Sequence, residues 1–174
     1  MTSTRVLGIV VDIPEPHATV FRDWRDRVGD PQALQVPPHV TLLPPTPVPV
    51  DAVDKIDAHL EQASTATGEF SMHLAGTGTF RPVSQVVFVQ VATGIGECEV
   101  LASAIRSGPL EKELDFPYHP HVTIAQDVDP IALDAAYEGL SGFTARFTVA
   151  DFTMYEQRAD GGWDPIRSFP LGGG

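Results

Sequence analysis

Apolar and polar positions along the chain change their period several times, and each change marks an element. Val6 to Ile13 is a continuous, β-branched apolar run ended by Pro14 and Pro16, which predicts a buried strand. From His17 to Val28 the period lengthens: Val20, Phe21, Trp24 and Val28 share one helical face, Arg22, Asp23, Arg25 and Asp26 are expected to face water, and Gly29-Asp30-Pro31 stops the helix. His39 to Leu43 reads as a strand, followed by Pro44, Pro45, Pro47 and Pro49, a stiff connection that should join neither a helix nor a central strand. Asp51 is placed to cap a second helix, whose core face is Val53, Ile56, Leu60 and Ala63. A weaker strand from Glu69 to Phe80, interrupted by Gly76 and Gly78, leads into a loop at Arg81-Pro82, and Gln85 to Ala92 is a clear strand. Val100, Leu101, Ala104 and Ile105 mark a third helix, and His121 to Ala125 a short strand. Asp129-Pro130 starts a fourth helix, and Phe143 to Phe169 holds two or three strands with a turn at Asp160-Gly161-Gly162.

This order repeats itself. Aligning Leu7–Val11 with Val87–Val91 brings a histidine-bearing strand to nearly the same distance downstream in each half. The prediction is an α+β fold: one domain over residues 1–174, made of two pseudo-symmetric strand-helix-strand-helix-strand lobes whose mainly antiparallel sheets surround a central cleft. Lobe 1 would comprise about residues 1–82 plus the C-terminal strands, and lobe 2 about residues 83–150. A chain of 174 residues that is 43% hydrophobic is long enough to bury such a core.

The repeat carries chemistry. His39-Val40-Thr41-Leu42 and His121-Val122-Thr123-Ile124 share the pattern His-x-Thr-apolar. On a strand, each histidine and its threonine point to one face while the residues between them point to the other. Either motif alone is an ordinary strand segment; two in matching places of a repeat would line opposite walls of one cleft. A neutral imidazole can take a proton from a nucleophile while a protonated one gives a proton to a leaving oxygen, and two hydroxyls can hold the non-bridging oxygens of a phosphate. No metal or cofactor is required. A three-imidazole metal site of His39, His119 and His121 is the competing arrangement, but it would leave the paired threonines without a purpose.

Charge limits the partners. Lys and Arg total 11 against 23 Asp and Glu, a net charge of −12, which disfavours a stable complex with long nucleic acid. The single cysteine, Cys98, stands between Glu97 and Glu99, a setting that raises a thiol pKa and suits a structural residue. Thr93-Gly94-Ile95-Gly96 begins a helix after a strand, as phosphate loops do, yet lacks the lysine of such a loop, and no Gly-x-Ser-x-Gly elbow occurs. His17, His59 and His73 occur singly, and Trp24 and Trp163 read as packing. With no apolar leader and no apolar run near the ~20 residues that span a bilayer, a cytoplasmic monomer is expected.

With its two His-x-Thr motifs, including Tyr118-His119-Pro120-His121-Val122-Thr123-Ile124-Ala125, the chain resembles the two-histidine phosphoesterase superfamily, in particular its bacterial 2′-5′ RNA ligase-like members. The resemblance covers most of the chain, through Phe152–Glu156 and Trp163 to Ser168–Leu171. It implies a bilobal α+β fold with a water-filled cleft, hydrolysis of 2′,3′-cyclic phosphates on a nucleotide or RNA end, and reversible 2′-5′ ligation. Carried onto this chain, it supports His39 and His121 as catalytic and Thr41 and Thr123 as phosphate-binding. Many relatives place arginine shortly after a motif, whereas here Leu43-Pro44 and Gln126 follow, leaving Arg81 as the nearby substitute. Tyr118 and Phe80 are further candidates, as aromatic platforms for a base. A non-catalytic nucleotide binder, or a hydrolase of a non-RNA ester such as a cyclic phosphate of ADP-ribose, remain the alternative functions at this level.

Overall fold

The computed structural model describes residues 3–173. Among the described residues, eight strands join one antiparallel sheet in the order β6-β3-β4-β5-β2-β1-β7-β8, with four α-helices between them. The strands are β1 (Thr4–Asp12), β2 (His39–Pro49), β3 (Phe70–Thr79), β4 (Val86–Thr93), β5 (His121–Gln126), β6 (Thr144–Val149), β7 (Asp151–Gln157) and β8 (Trp163–Pro170). The helices are α1 (His17–Arg27), α2 (Val53–Ala66), α3 (Ile95–Ile105) and α4 (Pro130–Gly139). The α+β class and antiparallel pairing are as expected. So is the Asp129 cap, whose carboxylate accepts from the Ile131 amide at 2.8 Å.

Strand pairing redraws the boundary between the halves. β3 follows α2 yet pairs with β4 and β6, so residues 70–79 lie in the half of the sheet expected of lobe 2. β7, in turn, crosses back to pair with β1. Each half thus lends a strand to the first strand of the other: the return of β7 is as expected of the C-terminal strands, whereas the place of β3 is not. The helices exchange in the same sense: α1 packs near β5, and α3 near β2.

Three local expectations also change. β2 continues through all four prolines instead of ending at Leu43. Pro44 and Pro45 lie in an irregular stretch of the ladder opposite Gly8, and Pro45, Pro47 and Pro49 alternate, so their missing N–H groups face away from β1, where β2 has no long-range ladder to complete. Asp51 lies in a short 3₁₀ turn ahead of α2 and makes no cap bond. In α3 the buried face is Cys98, Leu101, Ala102 and Ile105, while Val100 is exposed. Burial, followed by Glu97, pushes the Cys98 thiol up to about 12.

Arg25, expected in water, is buried. It falls on the same stripe of α1 as Ala18 and Phe21, and its guanidinium meets the Asp30 carboxylate at 2.8 Å, with both side chains no more than 3% exposed. The other Asp30 oxygen accepts from the Gln32 amide at 2.9 Å, so this ion pair fixes the end of α1. Asp30→Ala would leave a buried guanidinium unpaired and should cost about 3–5 kcal/mol in urea unfolding. The Arg25→Met/Asp30→Leu double variant should recover much of that loss; a single variant of wild-type stability would show that the pair contributes nothing.

Candidate active site

The two His-x-Thr strands meet at the middle of the sheet. β2 and β5 run antiparallel and pair through Val40 and Val122. The flanking residues therefore face each other, His39 across from Thr123 and Thr41 across from His121. Val40, Leu42, Val122 and Ile124 are fully buried on one side of the sheet. By strand alternation the two histidines and two threonines share the other side, each half-buried. In such a square, opposite side chains start about 5 Å apart and diagonal ones about 7–8 Å, room for one tetrahedral phosphate between the imidazoles.

Both rings are held in the same way. His39 Nδ1 lies 2.7 Å from the Pro37 carbonyl oxygen, and His121 Nδ1 lies 2.7 Å from that of His119. A carbonyl oxygen only accepts, so each Nδ1–H donates, and the neutral ring keeps its lone pair on Nε2. A proline, Pro38 or Pro120, separates each histidine from the carbonyl it uses. The residue before a proline is confined to extended conformations, which fixes that carbonyl's direction.

Burial lowers the pKa of both histidines, while the carbonyl bonds act in the opposite sense. Their remaining surroundings differ. At His39, Arg25 disfavours the charged form and Asp12 favours it; at His121, both His119 and His39 disfavour it. Asp12 pairs with His39 across β1 and β2, and its carboxylate accepts from the Thr153 and Tyr155 hydroxyls at 2.8 Å each. Burial, together with the Asp12 bond, raises the Tyr155 phenol well above its ordinary range.

An aromatic ring also covers each histidine. Trp163, expected only to pack, stacks on His39 with centroids 5.5 Å apart and planes 24° from parallel. It crosses β1 at Gly8, where an added Cβ would stand 2.8 Å from the indole. Phe80 meets His121 edge to face at 5.0 Å, and Phe88 lies 5.2 Å from the same imidazole. Gly78 makes room there, since a Cβ would stand 2.7 Å from the Phe88 ring. Trp163, Phe88 and Asp12 are the site neighbours that sequence reasoning missed. The available signals were glycines inside two strands, which mark close approach, and the proline before each histidine.

The remaining candidates divide. Tyr118 lines the cleft and its hydroxyl donates to the Thr41 carbonyl at 2.7 Å, linking the loop before β5 to β2. Phe80 lines the same cleft, of about 710 Å³, together with Thr41 and His121. Arg81 does not: its guanidinium is 2.8 Å from Asp134 and also donates to the Thr79 hydroxyl. The guanidinium is thus engaged by a carboxylate on α4 and is not part of the cleft wall. Among the described residues, no three His, Cys, Asp or Glu side chains are grouped as metal ligands. No described helix is long and apolar enough to cross a membrane.

An antiparallel sheet that brings two His-x-Thr strands together at its centre is the arrangement expected of the two-histidine phosphoesterase class. The sequence profile of the 2′-5′ RNA ligase superfamily matches residues 13–161, and the chain belongs to that family. A Bacillus cytotoxicus protein named as a candidate phosphoesterase is 29% identical over 151 residues, covering 83% of this chain and 85% of the relative. A Bacillus cereus (strain AH187) protein named in the same way is 30% identical over 155 residues, with 83% and 85% covered. Among solved structures, E. coli LigT complexed with NADP+ superposes with a TM-score of 0.71 at 20% identity over 98% of this chain and 99% of LigT. LigT complexed with 3′-AMP gives 0.66 at 19% identity, over 97% and 99%. Kluyveromyces marxianus Usb1 shares the fold more distantly, with a TM-score of 0.53 at 12% identity over 98% and 99%.

The stacked pair offers a direct readout. In a Trp24→Phe background, Trp163 emission should fall as His39 takes up a proton, because a stacked imidazolium quenches an indole. The midpoint should lie below the ordinary histidine value of 6.5, and the transition should vanish in His39→Ala. A midpoint at or above 6.5 would contradict the burial described for this ring.

Proposed function

We propose that the protein is a metal-independent phosphodiesterase that opens a cyclic phosphodiester, the 2′,3′-cyclic phosphate of a nucleotide or RNA end. The observation that supports this reading is the single antiparallel bridge pair of Val40 and Val122, about which strand alternation sets His39, Thr41, His121 and Thr123 on the same side of the sheet. Thr41 and Thr123 donate to the non-bridging oxygens and orient phosphorus between the imidazoles. Water loses its proton to Nε2 of one histidine as its oxygen bonds to phosphorus. The bond from phosphorus to the departing ribose oxygen breaks, and that oxygen takes a proton from the other histidine. With a 5′-hydroxyl in place of water, the same residues form a 2′-5′ linkage as the bond from phosphorus to the 3′-oxygen breaks and that oxygen is protonated; the reverse step cleaves the linkage.

His39 is assigned as the acid and His121 as the base. The Asp12 carboxylate and the face of Trp163 favour a charged imidazole at His39 against the opposing charge of Arg25, whereas at His121 both charged neighbours, His119 and His39, oppose one and the rings of Phe80 and Phe88 lie close by. The two titrations are coupled, and their apparent values belong to the pair.

Purified protein in EDTA should open a nucleoside 2′,3′-cyclic phosphate, and His39→Ala or His121→Ala should each lower the rate by ~10²-fold or more. Full activity in both variants would end the proposal. Because both pKa values are lowered from 6.5, the bell-shaped kcat/KM profile should be centred on the acid side of that value. Activity should rise from low pH as the base loses its proton, and fall towards neutral pH and above as the acid loses its own.

A further inference from the structure

We propose that the site accepts a singly charged phosphodiester and rejects substrates carrying further phosphates, so that a nucleoside cyclic monophosphate is preferred to the same group on a 5′-phosphorylated nucleotide or an RNA end. This deepens the hydrolase reading and rests on it.

Two sets of observations converge. Beyond Thr41 and His121, the cleft wall combines an apolar surface, including Phe80, Val83 and Phe116, with the carboxylates of Glu113 and Asp115. Neither carboxylate forms an ion pair among the described residues, and both residues are exposed. Lys112 is the one cation in that wall, and its ammonium leans to the Thr46 hydroxyl at 3.4 Å. Elsewhere Arg5, Arg25, Arg81, Arg158 and Arg167 are each paired with a carboxylate. Arg106 lies over the Tyr118 ring at 5.6 Å and is not part of the cleft wall.

At the phosphate itself, positive charge comes from one imidazolium, and the threonines are neutral donors. One imidazolium balances one phosphodiester anion. A second phosphate of the substrate would have to lie along a wall where carboxylates outnumber cations, while an uncharged ribose and base would meet the apolar surface. The monoester product acquires a second negative charge near neutral pH, so the same balance favours its release.

The test compares kcat/KM for adenosine 2′,3′-cyclic phosphate with that for its 5′-phosphorylated counterpart, at low salt. The expected preference for the former is at least about tenfold, shrinking as salt screens the carboxylates. In Glu113→Gln/Asp115→Asn the ratio should fall towards one. Both side chains are exposed, and an unchanged thermal midpoint would verify the fold. A wild-type ratio near one, or a preference unaffected by the double variant, would overturn the inference. Calorimetry with adenosine 2′-phosphate and adenosine 2′,5′-bisphosphate reads the same order without catalysis. Absent turnover would thus refute the hydrolase reading, while equal binding of the two ligands would refute this one.

Discussion

Because β2 and β5 meet through Val40 and Val122, the geometry of the site is set by one antiparallel bridge pair and the alternation of side chains around it. The two valines turn into the core together with Leu42 and Ile124, and burying those apolar side chains holds the strands in register. A slip of one residue would carry four apolar side chains to the wet face and both histidines into the core. Specificity of register is thus supplied by hydrophobic burial, and the polar square follows from it. Tyr118 adds a second tie across the same junction through its bond to the Thr41 carbonyl.

The same junction explains why the cleft can be open yet well ordered. Beyond Val40 and Val122 the two strands are not laddered, so β2 runs on along β1 while β5 runs along β4. The prolines of β2 are tolerated on this unladdered side. Aromatic rings close the wet face over each histidine, and Gly8 and Gly78 let those rings lie against the strands. Rings so placed displace water from around the imidazoles, which is the burial that lowers both pKa values.

How much was legible in the sequence depended on the range of the interaction. The His-x-Thr pairs, the face of α2 and the Asp129 cap are set within a few residues, and local patterns read them directly, as they did most of the apolar face of α1. Arg25 misled because charge was taken to mean solvent, although its position fell on the buried stripe and its partner, Asp30, stood just beyond the helix. The place of β3 was hidden because strand exchange between halves is decided by packing over long sequence distances. Trp163 was hidden for the same reason: a residue after a turn near the C-terminus has no local pattern that announces a contact with His39. Arg81 was a candidate by proximity in the chain, and the structure gives it instead to Asp134.

Pseudo-symmetry supplies two equivalent histidines, but the proposed acid-base chemistry needs two unequal ones. The backbone does nothing to distinguish them, since each donates from Nδ1 to a carbonyl two residues earlier at the same distance. The difference must come from side chains that the repeat does not duplicate. Asp12, held by Thr153 and Tyr155 on the returning strand β7, has its place beside His39, whereas the neighbour of His121 is another histidine. Arg25, itself held by Asp30 in a buried pair, works against Asp12 at His39 and is the larger of the two charge effects there. The C-terminal strands therefore do more than complete the sheet. By bringing Tyr155 to Asp12 and Trp163 to His39, they make the surroundings of the two histidines unequal.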